Sequence, residues 1–183
     1  MQQKVAIRKK ALANRKKKYF EISSHFFNPL IKLLKKENST KTLSLYYPSS
    51  YEVNVLSIFQ LTKKIKIKTL LPVIKPNNQM NFVEWQYLDP LKVNNFGMLE
   101  PCLINKPMVP DFMLVPLLAF DNNNNRLGYG KGFYDRFLNK FLKNKKKITT
   151  IGVAFSFQKY NKLPVSNLDI KLDYILTEKG LRK

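Results

Sequence analysis

The sequence predicts an α/β fold: a single three-layer domain over residues 1–183, with a central, mainly parallel twisted sheet and helices on both faces. Two kinds of observation carry that expectation. Apolar runs of strand length, "DFMLVPLLAF" (111–120), "ITTIGVAFSF" (148–157) and "LDYILT" (172–177), have the continuous hydrophobicity of buried strands, and segments with helical spacing alternate with them. A glycine-rich loop also joins the first of these runs directly to a helix, the setting in which α/β proteins bind ligands at strand ends.

In chain order, residues 3–13 read as a basic helix and residues 20–37 as a second, with Phe26, Phe27, Leu30, Ile31, Leu33 and Leu34 on its apolar side and Pro29 either in its first turns or kinking it. "KTLSLYYP" (41–48) is a short β-rich run ended by proline, after which Ser49, Ser50 and Glu52 open a helix through Leu61. "KIKIKTLLPV" (64–73) alternates lysine and isoleucine like a half-exposed strand, and "QMNFVEWQYL" (79–88) reads as an edge strand. After the buried strand at 111–120, "GFYDRFLNKFL" (132–142) is a helix built on Phe133, Phe137, Leu138 and Phe141, with Asp135 in its first turn. No internal repeat is visible.

Composition narrows the function classes. The net charge of +21 suggests a polyanion partner, but only five of the 33 basic residues are arginine. Sequence-reading proteins favour the bidentate fork of arginine, so the lysine excess reads as compositional drift rather than dedicated RNA or DNA binding. The single cysteine, Cys102, excludes an internal disulfide and a cysteine-based metal cluster, fits a reducing compartment, and reads as a small apolar filler. No apolar run is long enough to span a bilayer, and the expected location is cytoplasmic. His25, the only histidine, lies on a helical face and reads as structural.

Against that lysine background the scarce residues are informative. "DNNNNRLGYGKGFYDRF" (121–137) sets Gly128, Gly130 and Gly132 at alternate positions and brackets them with Arg126 and Arg136. Alternate glycines suit neither a strand nor a helix, so bare backbone is needed there, for a sharp turn, a close helix contact or an anionic ligand on the main chain. The G-x-G-x-G spacing is neither a dinucleotide fingerprint nor a P-loop. Lys131 and Arg126 are placed to neutralise a phosphate, and a divalent cation would reconcile such a group with the nearby carboxylate of Asp135; equally, Asp135 suits the helix dipole and Lys131 a solvated surface.

"FDNNNNRLGYGKGFYDRFL" resembles the signature of the 5-formyltetrahydrofolate cyclo-ligase family, F-D-x-x-G-x-R-L-G-x-G-x-G-[YF]-Y-D-R. Further segments resemble that family in order: "KVAIR", "YYPSSYEVN", "LPV", "MNFVEW", "NNFGMLEP" and "LPVSNLDIKLDYILTEKG". The resemblance implies ATP- and Mg²⁺-dependent closure of 5-formyltetrahydrofolate to 5,10-methenyltetrahydrofolate, with release of ADP and phosphate. It implies catalytic roles for Lys131 and Arg126, and ATP contacts from Lys4, Arg8, Arg126, Leu127, Gly128, Tyr129, Gly130, Lys131, Gly132, Phe133 and Tyr134. Asp135 and Asp169 correspond to metal-binding positions. Tyr47 and Glu52 match substrate-contacting positions, as do Tyr129, Gly130, Lys131, Gly132 and Phe133; Met80, Phe82 and Trp85 are expected to wall a flat pterin pocket, the alternative being plain core, which is the commoner use of three such residues on a strand.

The implied partners are ATP and a reduced folate, with or without a polyglutamate tail, acting on a monomer or weak dimer without membrane or specific nucleic acid. Three positions depart from the family pattern: Leu117 and Asn124 where glycine is usual, and Leu168 where histidine is frequent. Leu117 either narrows the nucleotide pocket or marks a shifted register against the family pattern. The alternative, from another class, is a basic RNA-associated binding protein with a vestigial nucleotide site.

Overall fold

The structure, a computed structural model, describes residues 2–37, 41–103, 106–143 and 147–183. Helix α1 spans Gln2–Lys18, and a 3₁₀ turn at Ser24–Phe27 leads into α2, Asn28–Lys36. Strand β1 is Thr42–Ser44; a 3₁₀ turn at Val55–Ile58 and α3, Phe59–Lys64, follow it. Then come β2 (Lys68–Lys75), β3 (Gln79–Glu84), β4 (Leu91–Val93), β5 (Leu99–Pro101), β6 (Phe112–Pro116), β7 (Ala119–Phe120) and β8 (Arg126–Leu127). Helix α4 (Phe133–Lys143) and strands β9 (Thr149–Val153), β10 (Tyr174–Thr177) and β11 (Gly180–Arg182) complete the chain.

The main sheet has the order β11-β10-β9-β6-β1-β2-β3. The strands from β10 to β2 are mutually parallel, and β3 and β11 pair antiparallel at the two edges. Side-chain alternation divides the interior into two cores, because successive residues of a strand face opposite sides of the sheet. On one side Leu43, Leu71, Phe112, Leu114, Ile151 and Leu176 pack with α2 and the residues around α3. On the other, Leu70, Met113, Val115 and Ile175 pack beneath Phe137 and Leu138 of α4. This is the expected three-layer arrangement.

Several element bounds differ from the sequence reading for local reasons. The expected helix at 20–37 begins only at Asn28, because Pro29 takes the first turn, where its missing N–H costs no hydrogen bond. The helix expected from Ser49 through Leu61 starts later, as the 3₁₀ turn at Val55–Ile58 and α3, because Ser50 (φ 48°) and Tyr51 (φ 62°) are both left-handed and form a tight turn before it. Lys66 (φ 56°) likewise turns the chain, so the strand expected from Lys64 starts at Lys68. The run at 111–120 is broken after Pro116, and its end turns away as β7 to pair with β8. Cys102 is exposed, not a core filler, because it follows the short β4–β5 hairpin at the surface. Among the described residues no helix is long and apolar enough to cross a membrane.

Candidate active site

Strand β1 has β2 on one side and β6 on the other, and the loops leaving the carboxyl ends of β1 and β6 frame a crevice, as expected at a topological switch point. A cavity of about 430 Å³ lies there, within the size range of small-molecule sites. Its lining combines Tyr47 and Glu52 from the loop after β1 with Pro116 at the end of β6 and the whole segment Arg126–Asp135. Lys4 and Arg8 of α1, Met80 of β3 and Asp169 also reach it. Thus every sequence-predicted site residue except Phe82 and Trp85 faces one space.

The glycine loop is held open by arginines. Gly130 (φ +99°) and Gly132 (φ +69°) occupy backbone conformations that a side chain would strain. A Cβ on Gly130 would stand 3.2 Å from the guanidinium carbon of Arg8, whose Nε donates to the carbonyl of Gly128 at 2.9 Å. Arg136 fastens the other side, its Nη2 donating to the carbonyl of Lys131 at 2.6 Å and to that of Asn78 at 3.1 Å. The Lys131 ammonium is exposed and sits 5.5 Å from the Phe96 ring centroid, which leaves it available to an anion.

Glu52 forms the opposite wall. The left-handed turn brings its Oε2 to the backbone N–H of Ser49 at 2.8 Å, and its Oε1 accepts from the Tyr129 hydroxyl. Burial raises the Glu52 carboxyl above its ordinary range, and the hydrogen bonds from Tyr129 and Ser49, with the charge of Arg15, counter that rise. Burial, and then the charge of Glu52, push the hydroxyls of Tyr129 and Tyr134 upward, so both stay protonated donors at neutral pH.

The two carboxylates assigned to a metal line the same cavity and are each held by a cation. Arg126 Nη2 donates to Asp135 Oδ1 at 2.7 Å, and the same oxygen accepts from the Ile170 N–H. Asp169 pairs with Lys4 and accepts from Ser166. Burial opposes ionisation of Asp169, but the Lys4 and Ser166 hydrogen bonds and the Lys4 charge outweigh it and hold the carboxyl below its usual value. Among the described residues no cluster of three or more acidic, histidine or cysteine side chains could hold an ion alone. Two carboxylates lining one cavity with the glycine loop fit Mg²⁺, which keeps several waters and is bound by one or two carboxylates together with phosphate oxygens.

The expected pterin wall needs correction. Met80 lines the cavity, but Phe82 is fully buried against Phe137, 4.9 Å between ring centroids. Trp85 has the opposite strand parity, lies in the other core against Phe59, and donates its Nε1–H to the Asp89 carbonyl at 3.1 Å. The aromatic surface comes instead from Phe133 and from Phe96 in the β4–β5 turn, whose rings meet edge to face at 5.3 Å. Glu100 anchors that hairpin by accepting from the Ile74 N–H and from Asn94. Phe96 belongs to "NNFGMLEP", a turn-rich segment whose pattern does not mark the ring as part of a cavity.

The departures from the family pattern are absorbed locally. Leu117 is buried away from the cavity and fills the space that a Cβ on Gly152 would occupy, so it does not narrow the pocket. Asn124 takes φ 59°, and its Oδ1 accepts from Arg182 at 2.9 Å. Leu168 is exposed and offers only its carbonyl, to Asn139. His25 is exposed on the 3₁₀ turn, remote from the cavity lining.

The model of the "5-formyltetrahydrofolate cyclo-ligase family" matches residues 1–178. The 5-formyltetrahydrofolate cyclo-ligase of Haemophilus influenzae is 32% identical over 146 residues, covering 76% of this chain and 77% of the relative. That of Mycoplasma pneumoniae is 32% identical over 150 residues, covering 81% and 80%. Among solved structures, the 5,10-methenyltetrahydrofolate synthetase of Aquifex aeolicus superimposes with a TM-score of 0.75 at 32% identity, covering 98% of this chain and 92% of that one.

Proposed function

Because the chain belongs to the 5-formyltetrahydrofolate cyclo-ligase family, we propose that it closes 5-formyltetrahydrofolate to 5,10-methenyltetrahydrofolate at the expense of ATP, releasing ADP and phosphate. The observation that carries this reading is the single cavity in which the glycine loop, Lys131, Arg126, Asp135, Asp169 and Glu52 converge.

An N-formyl group is a poor electrophile, and its oxygen must become a leaving group before a neighbouring amine can displace it. The formyl oxygen takes the γ-phosphoryl group as the bond to ADP breaks; the second folate nitrogen then attacks the formyl carbon, and inorganic phosphate departs with that oxygen and takes up the proton that the nitrogen loses. Such transfer is mostly positioning and charge neutralisation. Open backbone at Gly128, Gly130 and Gly132 admits the phosphates, Lys131 and Arg126 offset their charge, and Arg8 and Lys4 approach them from α1. Asp135 and Asp169 would hold Mg²⁺, which supplies additional charge neutralisation at the phosphates. On the other side, Glu52 and Tyr47 orient the folate, while Met80, Phe96 and Phe133 offer apolar surface to its flat ring. Tyr129 and Lys131 lie between the two ligands.

Release of inorganic phosphate tests this assignment. It should require protein, ATP, Mg²⁺ and 5-formyltetrahydrofolate together and fall at least about 10²-fold in Lys131→Ala. Phosphate release without folate, or unaffected by Lys131→Ala, would contradict it.

A further inference from the structure

Helix α1 docks with little apolar surface: Ile7 packs on Ala119, Leu127 and Leu163, and the rest of the docked side is largely charged. Lys4, Arg8, Ala11 and Arg15 recur at i, i+4, i+7 and i+11, a single stripe of a helix, and the buried members are Ala11 and Arg15. Lys4 and Arg8 end in the cavity, whereas Arg15 runs beneath the glycine loop and is only 1% exposed.

Burying a guanidinium carries a heavy desolvation cost unless its donors are fully used, and the Nε of Arg15 finds no partner among the described residues. Its other nitrogens are directed. Nη1 donates to the Leu117 carbonyl at 3.3 Å, Nη2 donates to the Tyr129 hydroxyl at 2.6 Å, and the guanidinium carbon lies 5.6 Å from the Tyr129 ring centroid. That hydroxyl in turn donates to Glu52 Oε1 at 2.5 Å. Arginine has donors and no acceptor, so beside Arg15 the tyrosine oxygen must accept and its proton must point to Glu52.

We propose that Arg15 is a positioning residue for folate binding: through the Tyr129 hydroxyl it fixes the orientation of the Glu52 carboxylate that faces the substrate. The inference rests on the reading of Glu52 as a folate contact. It joins α1, the loop after β1 and the glycine loop in one hydrogen-bonded line, so that the nucleotide and folate sides of the cavity are assembled together. Losing Arg15 frees the tyrosine hydroxyl to rotate and removes the buried positive charge that acts on Glu52 from beneath the loop. The charged and titratable groups facing Glu52 are then Tyr46 from its own loop, Tyr129 from the glycine loop and Tyr134 from α4, with Lys4, Arg8, Arg126, Lys131, Asp135 and Asp169 on the rest of the lining. Ionisation of Glu52 becomes harder.

The test compares Arg15→Met, Arg15→Lys, Tyr129→Phe and the double variant Arg15→Met/Tyr129→Phe. Arg15→Met should raise KM for 5-formyltetrahydrofolate about tenfold, leave KM for ATP within about twofold, and move the acid limb of kcat/KM to higher pH. Arg15→Lys should restore part of that displacement, and the double variant should be no worse than the worse single one, because both act through one hydroxyl. An unmoved acid limb with both KM values raised together, or single effects that multiply in the double variant, would overturn the inference. If the wild-type protein turns over no folate, the functional reading fails by itself. The link is then read by NMR titration of the ¹³C-labelled Glu52 carboxyl: movement to higher pH in Arg15→Met supports it, and an unmoved titration overturns it.

Discussion

Arg8 lies across Gly130, with its guanidinium carbon 3.2 Å from the point where a Cβ would stand. The helix that opens the chain is therefore fitted to a loop more than a hundred residues away, and the fit requires glycine at φ +99°. Gly130→Ala adds backbone strain of about 1–3 kcal/mol and displaces Arg8. Its expected effect is a rise of roughly tenfold or more in KM for ATP with a lowered melting temperature, both measurable on the purified variant. An unchanged KM would mean that Arg8 and the loop do not act together.

Asp135 carries two jobs, as partner of Arg126 and as a proposed Mg²⁺ ligand. Asp135→Asn keeps an acceptor for Arg126 and for the Ile170 N–H, so the fold should persist while Mg²⁺-dependent turnover falls by about 10²-fold or more. Titration calorimetry should then find ATP binding no tighter with Mg²⁺ than without it. Retained metal dependence would remove Asp135 from the site.

Asp121 organises the turn before the glycine loop. Its carboxylate accepts from the N–H groups of Asn123, Asn125 and Leu163 and from the Asn125 side chain. Burial opposes its ionisation, but those hydrogen bonds prevail and lower its pKa. A carboxyl lowered on folding stabilises the native state above its unfolded pKa, and that contribution disappears as pH falls through the folded pKa. Melting temperature should therefore decline on acidification below the ordinary aspartate range, and Asp121→Asn should flatten this decline. An equally steep acid limb in the variant would count against the role.

Gly152 serves packing alone. A Cβ there would lie within 2.8 Å of Leu117, Leu172 and Ile175, all buried, so Gly152→Ala should destabilise by about 1–3 kcal/mol in urea unfolding. Turnover per folded molecule should be unchanged, since Gly152 is absent from the cavity lining. A variant as stable as the wild type would show that the three side chains can yield.

What the sequence revealed, and what it hid, follows from where each signal resides. Buried parallel strands announce themselves by continuous apolar runs, and the glycine loop stands out because alternate glycines have no other use. The paired carboxylates were visible because acids are scarce in this chain. The pterin wall was misjudged through strand parity and distance: Met80 and Phe82 share a face, but Phe82 sits about 7 Å farther along and under α4, and Trp85 points to the opposite core. Arg15 escaped notice because helix faces are sought through apolar periodicity, whereas the stripe Lys4-Arg8-Ala11-Arg15 is mostly charged. Serines favour both a helix start and the Ser50–Tyr51 turn, and the tertiary hydrogen bond from Tyr129 to Glu52 goes with the turn.

The most direct measurement follows the near-ultraviolet absorbance of methenyltetrahydrofolate as the purified protein meets 5-formyltetrahydrofolate, ATP and Mg²⁺, with each component omitted in turn. The account predicts a rise that requires all of them and that is lost in Asp135→Asn. A folded wild-type protein that binds ATP and yields no methenyl product would contradict it.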